Sequence, residues 1–424
     1  MIRESYFADK VSVLLMVILS MILVLSAFSG RQPQMIINYE FIFISLYFII
    51  ERESILYRLF NNTLFINNIV KLLLIVWSAA VVLSFLLSPY DLYNSPAALL
   101  RLFETFMHMI MFFVVRDYLI KYKPNIQIIF TAIYLPVFII GIVFLVSLYE
   151  TNLPYSDYSW FLKPAFNLHI RHTGYLAAAA VSLTLILLYK PDRKAAIFYL
   201  NICSIGILSH LYWMGGRGTV LSVWICMLLV MIVLYFSKKD VVRYGFNLLL
   251  INLIALMISE LLVVFQWNGL FNNIDRSVAS TSVNTLSSGR LAIWQLVIDA
   301  MHGQYLLGLG SNAFDSLPTP GRAVHAHNMF FQFWLEWGVL GAVSFIMLIA
   351  LGFLKGVSLH LREFVAARKV DKLRIEKLAA ASLIAVLTLH GLTDGTYFHQ
   401  QPLLYLVIAF AIWTAPAMQQ NNHE

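Results

Sequence analysis

Residues 69–87 read IVKLLLIVWSAAVVLSFLL, nineteen positions with a single charge, Lys71, near one end. At ~1.5 Å rise per residue a helix of this length matches the hydrocarbon core of a bilayer. Its apolar side chains fall on every face, so no polar stripe is left for water, as a surface helix of a soluble protein would require. Working outward from it, comparable runs stand at 11–29, 36–50, 102–120, 126–148, 173–189, 195–212, 219–236, 246–265, 328–354, 378–394 and 402–418. The run 36–50 is the shortest and carries Glu40.

Apolar residues make up 60% of the 424 positions and charged residues 12%, too few charges to clothe a surface in water. The expected fold is all-α: a polytopic integral membrane protein with about twelve transmembrane helices, forming a single membrane domain over 1–424 with no internal repeat and no separate soluble domain. Arg3 and Lys10 precede the first run and Ala27 and Ser29 follow it, the outline of a signal peptide. The run exceeds a usual signal core and leads straight into further spans, so it is expected to remain as an uncleaved first helix. Cys203 and Cys226 both fall inside spans, which leaves no disulfide framework and no thiolate metal site.

With twelve spans and an inner N-terminus, 21 of the 29 Lys and Arg fall on the cytoplasmic side. That bias is the positive-inside rule, and it places both termini of a multi-pass membrane protein on the cytoplasmic side. The net charge of +7 then follows from topology and calls for no nucleic acid. Of the eight outer cations, seven are arginine (Arg31, Arg101, Arg171, Arg217, Arg276, Arg290 and Arg322) and one is Lys163. Arginine offers a planar fork of donors suited to phosphate or carboxylate. Arg31 and Arg101 are equally well explained by snorkelling to lipid headgroups.

Two outer connections are long, 149–172 and 266–327. Within the second, Leu291, Trp294, Val297, Ile298 and Met301 recur at helical spacing with Arg290, Gln295, Asp299 and His302 between them, an amphipathic helix of about three turns on the membrane surface or against the bundle. The Ser/Thr/Asn-rich stretch before it, with Asn272 and Asn273, reads as mobile. Gly308, Gly310, Pro318, Pro320 and Gly321 after it interrupt any long regular element. Loops of this length usually bind or cover something, so a lid over a substrate is the functional reading and plain disorder the alternative. On the inner side, 355–377 reads as a solvated, lipid-attracted helix.

Four outer places could carry chemistry. GGRGT at 215–219 sets Arg217 at a helix start, where unpaired N–H groups and the positive dipole end favour an anion; a tight turn needing glycine is the plainer reading. SSGRLAIW at 287–294 does the same for Arg290. HAHN at 325–328 offers Asn328 as an N-cap and, if the backbone before it is extended, turns His325 and His327 to one side. Imidazole is well matched to taking a proton from a hydroxyl, and ordinary interfacial histidines are the alternative. The outer acids are scattered, with no DxD and no HxxxH, so local spacing assembles no metal site. Asp394 in HGLTDGTYF could orient an imidazole or an arginine, or simply bond at a helix end. Arg171 in IRHTGY is a further phosphate candidate. Glu336 lies about 900° of helix from His327, on the opposite face, and is expected to meet a neighbouring helix.

Taken together, the long outer loop, the RG at a span start, GRxxxW from Gly289 to Trp294, and HN followed by FFQFWLEWGVLG at 330–341 resemble the O-antigen ligase and polymerase family. The similarity is densest over 210–345, and its most specific piece is HN at 327–328 with WGVLG nine residues on. The resemblance implies transfer of a glycan from an undecaprenyl-diphosphate-linked O-antigen donor on the periplasmic face, without metal or other cofactor. It also implies that Arg217 and Arg290 hold the diphosphate and that His327 is the general base, His325 lying outside the strict match. The expectation is therefore an O-antigen ligase acting on a lipid A-core acceptor, with catalytic His327, His325 and Asp394 and diphosphate-binding Arg217, Arg290 and Arg171. A repeat-unit polymerase of the same family is the second reading. A transporter of the lipid-linked glycan is a third, weakened because few ionisable residues (Glu104, His108, His210, Glu260, Glu336) lie deep in the spans.

Overall fold

The computed structural model describes residues 17–25, 32–51, 68–150, 170–189, 194–236, 241–263, 268–279, 287–318, 323–366 and 375–416. The connection 151–169, the stretch 280–286 and residues Pro320, Gly321, Arg31, Lys163 and Arg322 lie outside the described residues, as do 367–374 of the inner connector. After a short helical segment at 17–25 the helices run α1 (Gln32–Glu51), α2 (Asn68–Leu86), α3 (Pro96–Tyr122), α4 (Ile126–Glu150), α5 (Ile170–Leu187), α6 (Lys194–Met214), α7 (Arg217–Phe236), α8 (Val241–Leu261), α9 (Leu270–Val278), α10 (Arg290–Ala300), α11 (Met329–Ala366), α12 (Ile375–Gly391) and α13 (Gln400–Thr414). The described residues contain no strand.

Within the described residues, each run expected to span lies largely on a helix, the first of them described only over 17–25. Eight of these helices are long and apolar enough to cross a membrane, and α5 and α13 are shorter apolar helices. Hydropathy places the start of α3 too late, because its first turns carry Arg101 and Glu104. The helix begins at Pro96, with the Ser95 hydroxyl accepting from Ala98 N at 3.3 Å.

α5 is the axis of the bundle. It packs against α4, α6, α7 and α12, and Ala177 to Ala180 are wholly buried. Small side chains let neighbouring backbones approach closely, the usual way that helices associate in lipid. The outward faces of α7 and α8 instead expose Leu221, Leu228, Leu249, Leu253 and Met257, an apolar surface suited to hydrocarbon. Cys203 and Cys226 are buried and unbonded to each other.

α11 bends sharply at Gly338, whose φ of 64° is left-handed. A β-carbon there would lie 2.2 Å from Leu306 O, so only glycine lets the two backbones meet. The groups freed by the break pair with the preceding loop: Leu309 N donates to Leu335 O at 2.7 Å, Gly310 N to Glu336 O at 3.0 Å and Val339 N to Tyr305 O at 2.9 Å. Gly338 of WGVLG thus fastens the 305–310 segment to the first part of α11.

The described part of the 266–327 connection carries more regular structure than its composition suggests. Asn272 and Asn273, read as mobile, sit in α9, where Asn273 is buried and its Nδ2 donates to Gly269 O at 2.6 Å. α10 does form, and it lies against the bundle. Its buried stripe is Ile293, Val297 and Met301, packed with Leu309, Phe314, Ala326 and Leu335 into a small core. Leu291, counted on the apolar face, is exposed.

Candidate active site

Five chain segments converge at one end of the bundle: the starts of α5, α7 and α10, the 325–328 link before α11, and the 390–399 turn between α12 and α13. Asn328 caps α11, its Oδ1 accepting from Phe330 N at 2.8 Å and Phe331 N at 3.2 Å. Its Nδ2 donates to Leu392 O at 2.8 Å, tying this link to the turn that carries Asp394.

His327 does not sit on extended backbone; its φ is 50°. A left-handed conformation in a non-glycine residue is uncommon and costs free energy unless its surroundings hold it. Here it turns the imidazole so that Nδ1 lies 2.8 Å from Asp394 Oδ1. His327 N donates to His325 Nδ1 at 3.1 Å, and the two rings lie 4.1 Å apart. His325 is the deeper of the pair, buried against Phe398 and His399, with ring centroids 5.2 Å away in each case. A β-carbon on Gly395 would come within 2.3 Å of His325 Cε1, so that glycine provides the clearance for the ring.

Asp394 is buried and receives three partners. His327 meets Oδ1, Gly395 N donates to Oδ1 at 2.8 Å, and Arg290 Nη2 lies 3.4 Å from Oδ2. Burial pushes its carboxyl up, but the hydrogen bond from His327 and the imidazoles of His390, His327 and His325 outweigh that effect, leaving Asp394 well below the usual carboxylate range. Asp394 therefore meets both an imidazole and an arginine.

Arg290 is the first residue of α10, and the residue before it, Gly289, has a φ of 79°. Arg217 opens α7 and donates to Ser277 Oγ at 2.7 Å and Ser288 Oγ at 3.0 Å, two residues before Arg290. Two residues after Arg217, Thr219 Oγ1 lies 3.1 Å from His390 Nε2, whose other nitrogen is 2.7 Å from Thr396 Oγ1. The start of α7 therefore borders the turn that holds Asp394. Arg171 stands in the first turn of α5, and its side chain lies outside the described residues. That helix nevertheless reaches the site, since the Tyr175 ring lies 5.1 Å from His390 and stacks on His399 at 5.3 Å.

His325, His327 and Asp394 each offer one ligand atom, all within 4.8 Å of one another, the residues here that could hold a metal ion. Local spacing could not reveal this grouping, because Asp394 comes from another helix end. The charge balance opposes a cation: Arg290 already lies against the carboxylate, and Gly395 N and His327 take the other oxygen.

Beside the cluster an apolar cleft of about 160 Å³ runs between α2, α3, α11 and α13, bounded by Trp77, Arg101, Phe333, Trp337 and Phe410. Tyr397 borders both the cleft and the histidine site.

Fold and site together define an α-helical membrane protein with an imidazole, a carboxylate and arginines gathered at one end of its bundle. Residues 202–346 match the family model described as O-Antigen ligase. No curated protein matches the chain. The matched span includes Arg217, Arg290, His325, His327 and Gly338 and ends before Asp394. Sequence reasoning missed His390, Tyr175 and His399; the density of polar residues in HGLTDGTYFHQ, between two apolar runs, was the available signal.

Proposed function

We propose that this protein is an O-antigen ligase, transferring a glycan from undecaprenyl diphosphate to a sugar hydroxyl of lipid A-core on the periplasmic face of the inner membrane. The observation that carries the reading is the His327–Asp394–Arg290 contact set at one end of an apolar bundle, which joins two residues of the segment similar to O-antigen ligases to the later turn that holds Asp394.

His327 acts as general base. With Nδ1 engaged by Asp394, its Nε2 takes the proton of the acceptor hydroxyl as that oxygen bonds to the anomeric carbon of the donor sugar. The bond from that carbon to the diphosphate breaks, and undecaprenyl diphosphate leaves. Asp394 fixes the tautomer and stabilises the imidazolium that forms. Arg290 and Arg217, each at a helix start, hold the diphosphate and offset the charge it gains; Arg171 is placed to add to them. Hydrogen bonds to charged groups are worth roughly 1.5 to 3 kcal/mol each, so two arginines supply a useful part of the barrier reduction. His325, buried beneath His327, supports that ring rather than meeting substrate. The apolar cleft beyond Tyr397 suits the hydrocarbon chain of the donor.

Complementation of a ligase-deficient strain, followed by a lipopolysaccharide ladder, tests the reading. Long glycans restored on the core support it. Restoration confined to a polymerase-deficient strain would replace it with the polymerase reading, and no restoration in either would remove both.

A further inference from the structure

Arg101 is 5% exposed, in the second turn of α3, among apolar helices where a guanidinium is costly to place. Its Nη1 donates to Phe398 O at 3.0 Å and its Nη2 to Tyr397 O at 3.3 Å, and its charge lies 4.8 Å above the Phe398 ring. These carbonyls belong to the turn that begins with Asp394. On its other side, Arg101 Nε lies 3.6 Å from Oε2 of the wholly buried Glu336. Glu336 Oε1 accepts from Gln332 Nε2 at 2.9 Å and from Asn312 N at 3.3 Å. The opposite end of the same amide, Gln332 Oε1, accepts from Ala326 N at 2.8 Å. Ala326 is the residue between His325 and His327.

One guanidinium thus reaches both segments whose mutual placement creates the 2.8 Å contact between His327 and Asp394. One arm is direct, through the carbonyls of 397 and 398. The other is relayed through a carboxylate and an amide. Simple adhesion between helices explains this poorly, because a buried ion pair can often be exchanged for apolar side chains with no loss of stability. A fixed donor and acceptor geometry at two backbone segments is what such a pair offers and apolar packing does not.

We infer that Arg101, Glu336 and Gln332 form a positioning relay that sets the hydrogen bond between His327 and Asp394. The inference rests on the proposed transfer for its kinetic consequence, whereas its structural consequence can be read without any activity. Gln332→Leu cuts the relay at its last link and leaves both charges paired. Arg101 Nη1 also lies 3.8 Å from the buried Glu104, so Arg101→Met is combined with Glu336→Leu and Glu104→Gln, which removes the guanidinium with both of its carboxylates and leaves no lone charge buried.

Purified variants are compared with wild type for thermal midpoint, for kcat and KM in glycan transfer, and by nitrogen NMR of the His327 ring. Both variants are expected to keep the wild-type midpoint within a few degrees and to keep KM for donor, while kcat falls on the order of a hundred-fold, the cost of misplacing a catalytic group. The His327 Nδ1 resonance is expected to move in the direction that Asp394→Asn moves it. Adding either variant to Asp394→Asn should cost little more, since both act on one contact. An unmoved resonance in both variants, or losses that multiply with Asp394→Asn, would overturn the relay. A moved resonance in a protein that transfers no glycan would leave the relay standing and sink the ligase reading instead.

Discussion

Asp394 Oδ1 stands 2.8 Å from His327 Nδ1, although the two residues are 67 positions apart and are delivered by different helix ends. The contact leaves the other imidazole nitrogen as the one able to meet a hydroxyl. It also places an anion that can stabilise the imidazolium. Replacing Asp394 by Asn keeps the shape and removes that charge, and the amide can hold the wrong tautomer. The expected result is a fall in kcat of about 10³ to 10⁴, with His327→Ala at least as damaging and both proteins still inserted. Single-turnover transfer with purified donor and acceptor measures it. Wild-type rates in both would remove the pair from the mechanism.

Arg290 faces Asp394 Oδ2 at 3.4 Å through one nitrogen of its fork, and in the proposed reaction the same guanidinium holds the diphosphate. If planar donation matters, Arg290→Lys keeps the charge and loses the fork, with an expected ten-fold or larger loss in kcat/KM, about 1.4 kcal/mol or more. Full activity with lysine would show that charge alone suffices.

The same arginine bears on metal use. A divalent ion bound by His325, His327 and Asp394 would have to displace the guanidinium and the imidazole contact. Transfer is therefore expected to survive prolonged chelation unchanged. Activity lost to chelator and restored by one particular divalent ion would convert this cluster into a metal centre.

Much of this was legible in the sequence, and the boundary is physical. The spans, the RG and GR helix starts and the HN cap are local patterns, each readable from a few neighbouring residues. The apolar face of α10 was visible in outline, although packing selected Ile293 over Leu291. Arg101 could be read only as an arginine suited to phosphate or carboxylate or as one snorkelling to a headgroup, because its partners, Glu336 and the carbonyls of 397 and 398, lie hundreds of residues away in the chain. The break at Gly338 was hidden inside a continuous apolar run; what forces it is the loop backbone of 305–310, which no periodicity reports. The positions whose meaning comes from distant partners were the ones left open.

Gly338 allows a test of the fold apart from the chemistry. Alanine there would need a left-handed conformation and would also drive its β-carbon into Leu306 O, breaking the attachment of the 305–310 loop to α11. A loss of several kcal/mol, or failure to accumulate folded protein, is expected from strain and close contact combined. Gly395→Ala, where φ is not left-handed, should be milder in stability yet push the His325 ring and lower kcat. Fluorescence-detected size exclusion during heating separates the two effects. Equal thermal midpoints for Gly338→Ala and wild type would contradict the backbone packing described.

The depressed carboxyl of Asp394 gives a signed expectation for pH. A carboxylate whose folded-state pKa is lowered stabilises the fold above its unfolded value, ~3.9, and that contribution disappears as pH falls through the lower folded-state value. Between about pH 5 and pH 8 the carboxylate stays ionised in both states, so the difference in thermal midpoint between wild type and Asp394→Asn should be nearly constant there as far as this group is concerned. Below about pH 4 the difference should narrow. Any loss of transfer on mild acidification then belongs to a group other than Asp394. If the midpoint difference instead began to close near pH 6, the carboxylate would be taking up its proton there, and burial, rather than the surrounding imidazoles, would govern its charge.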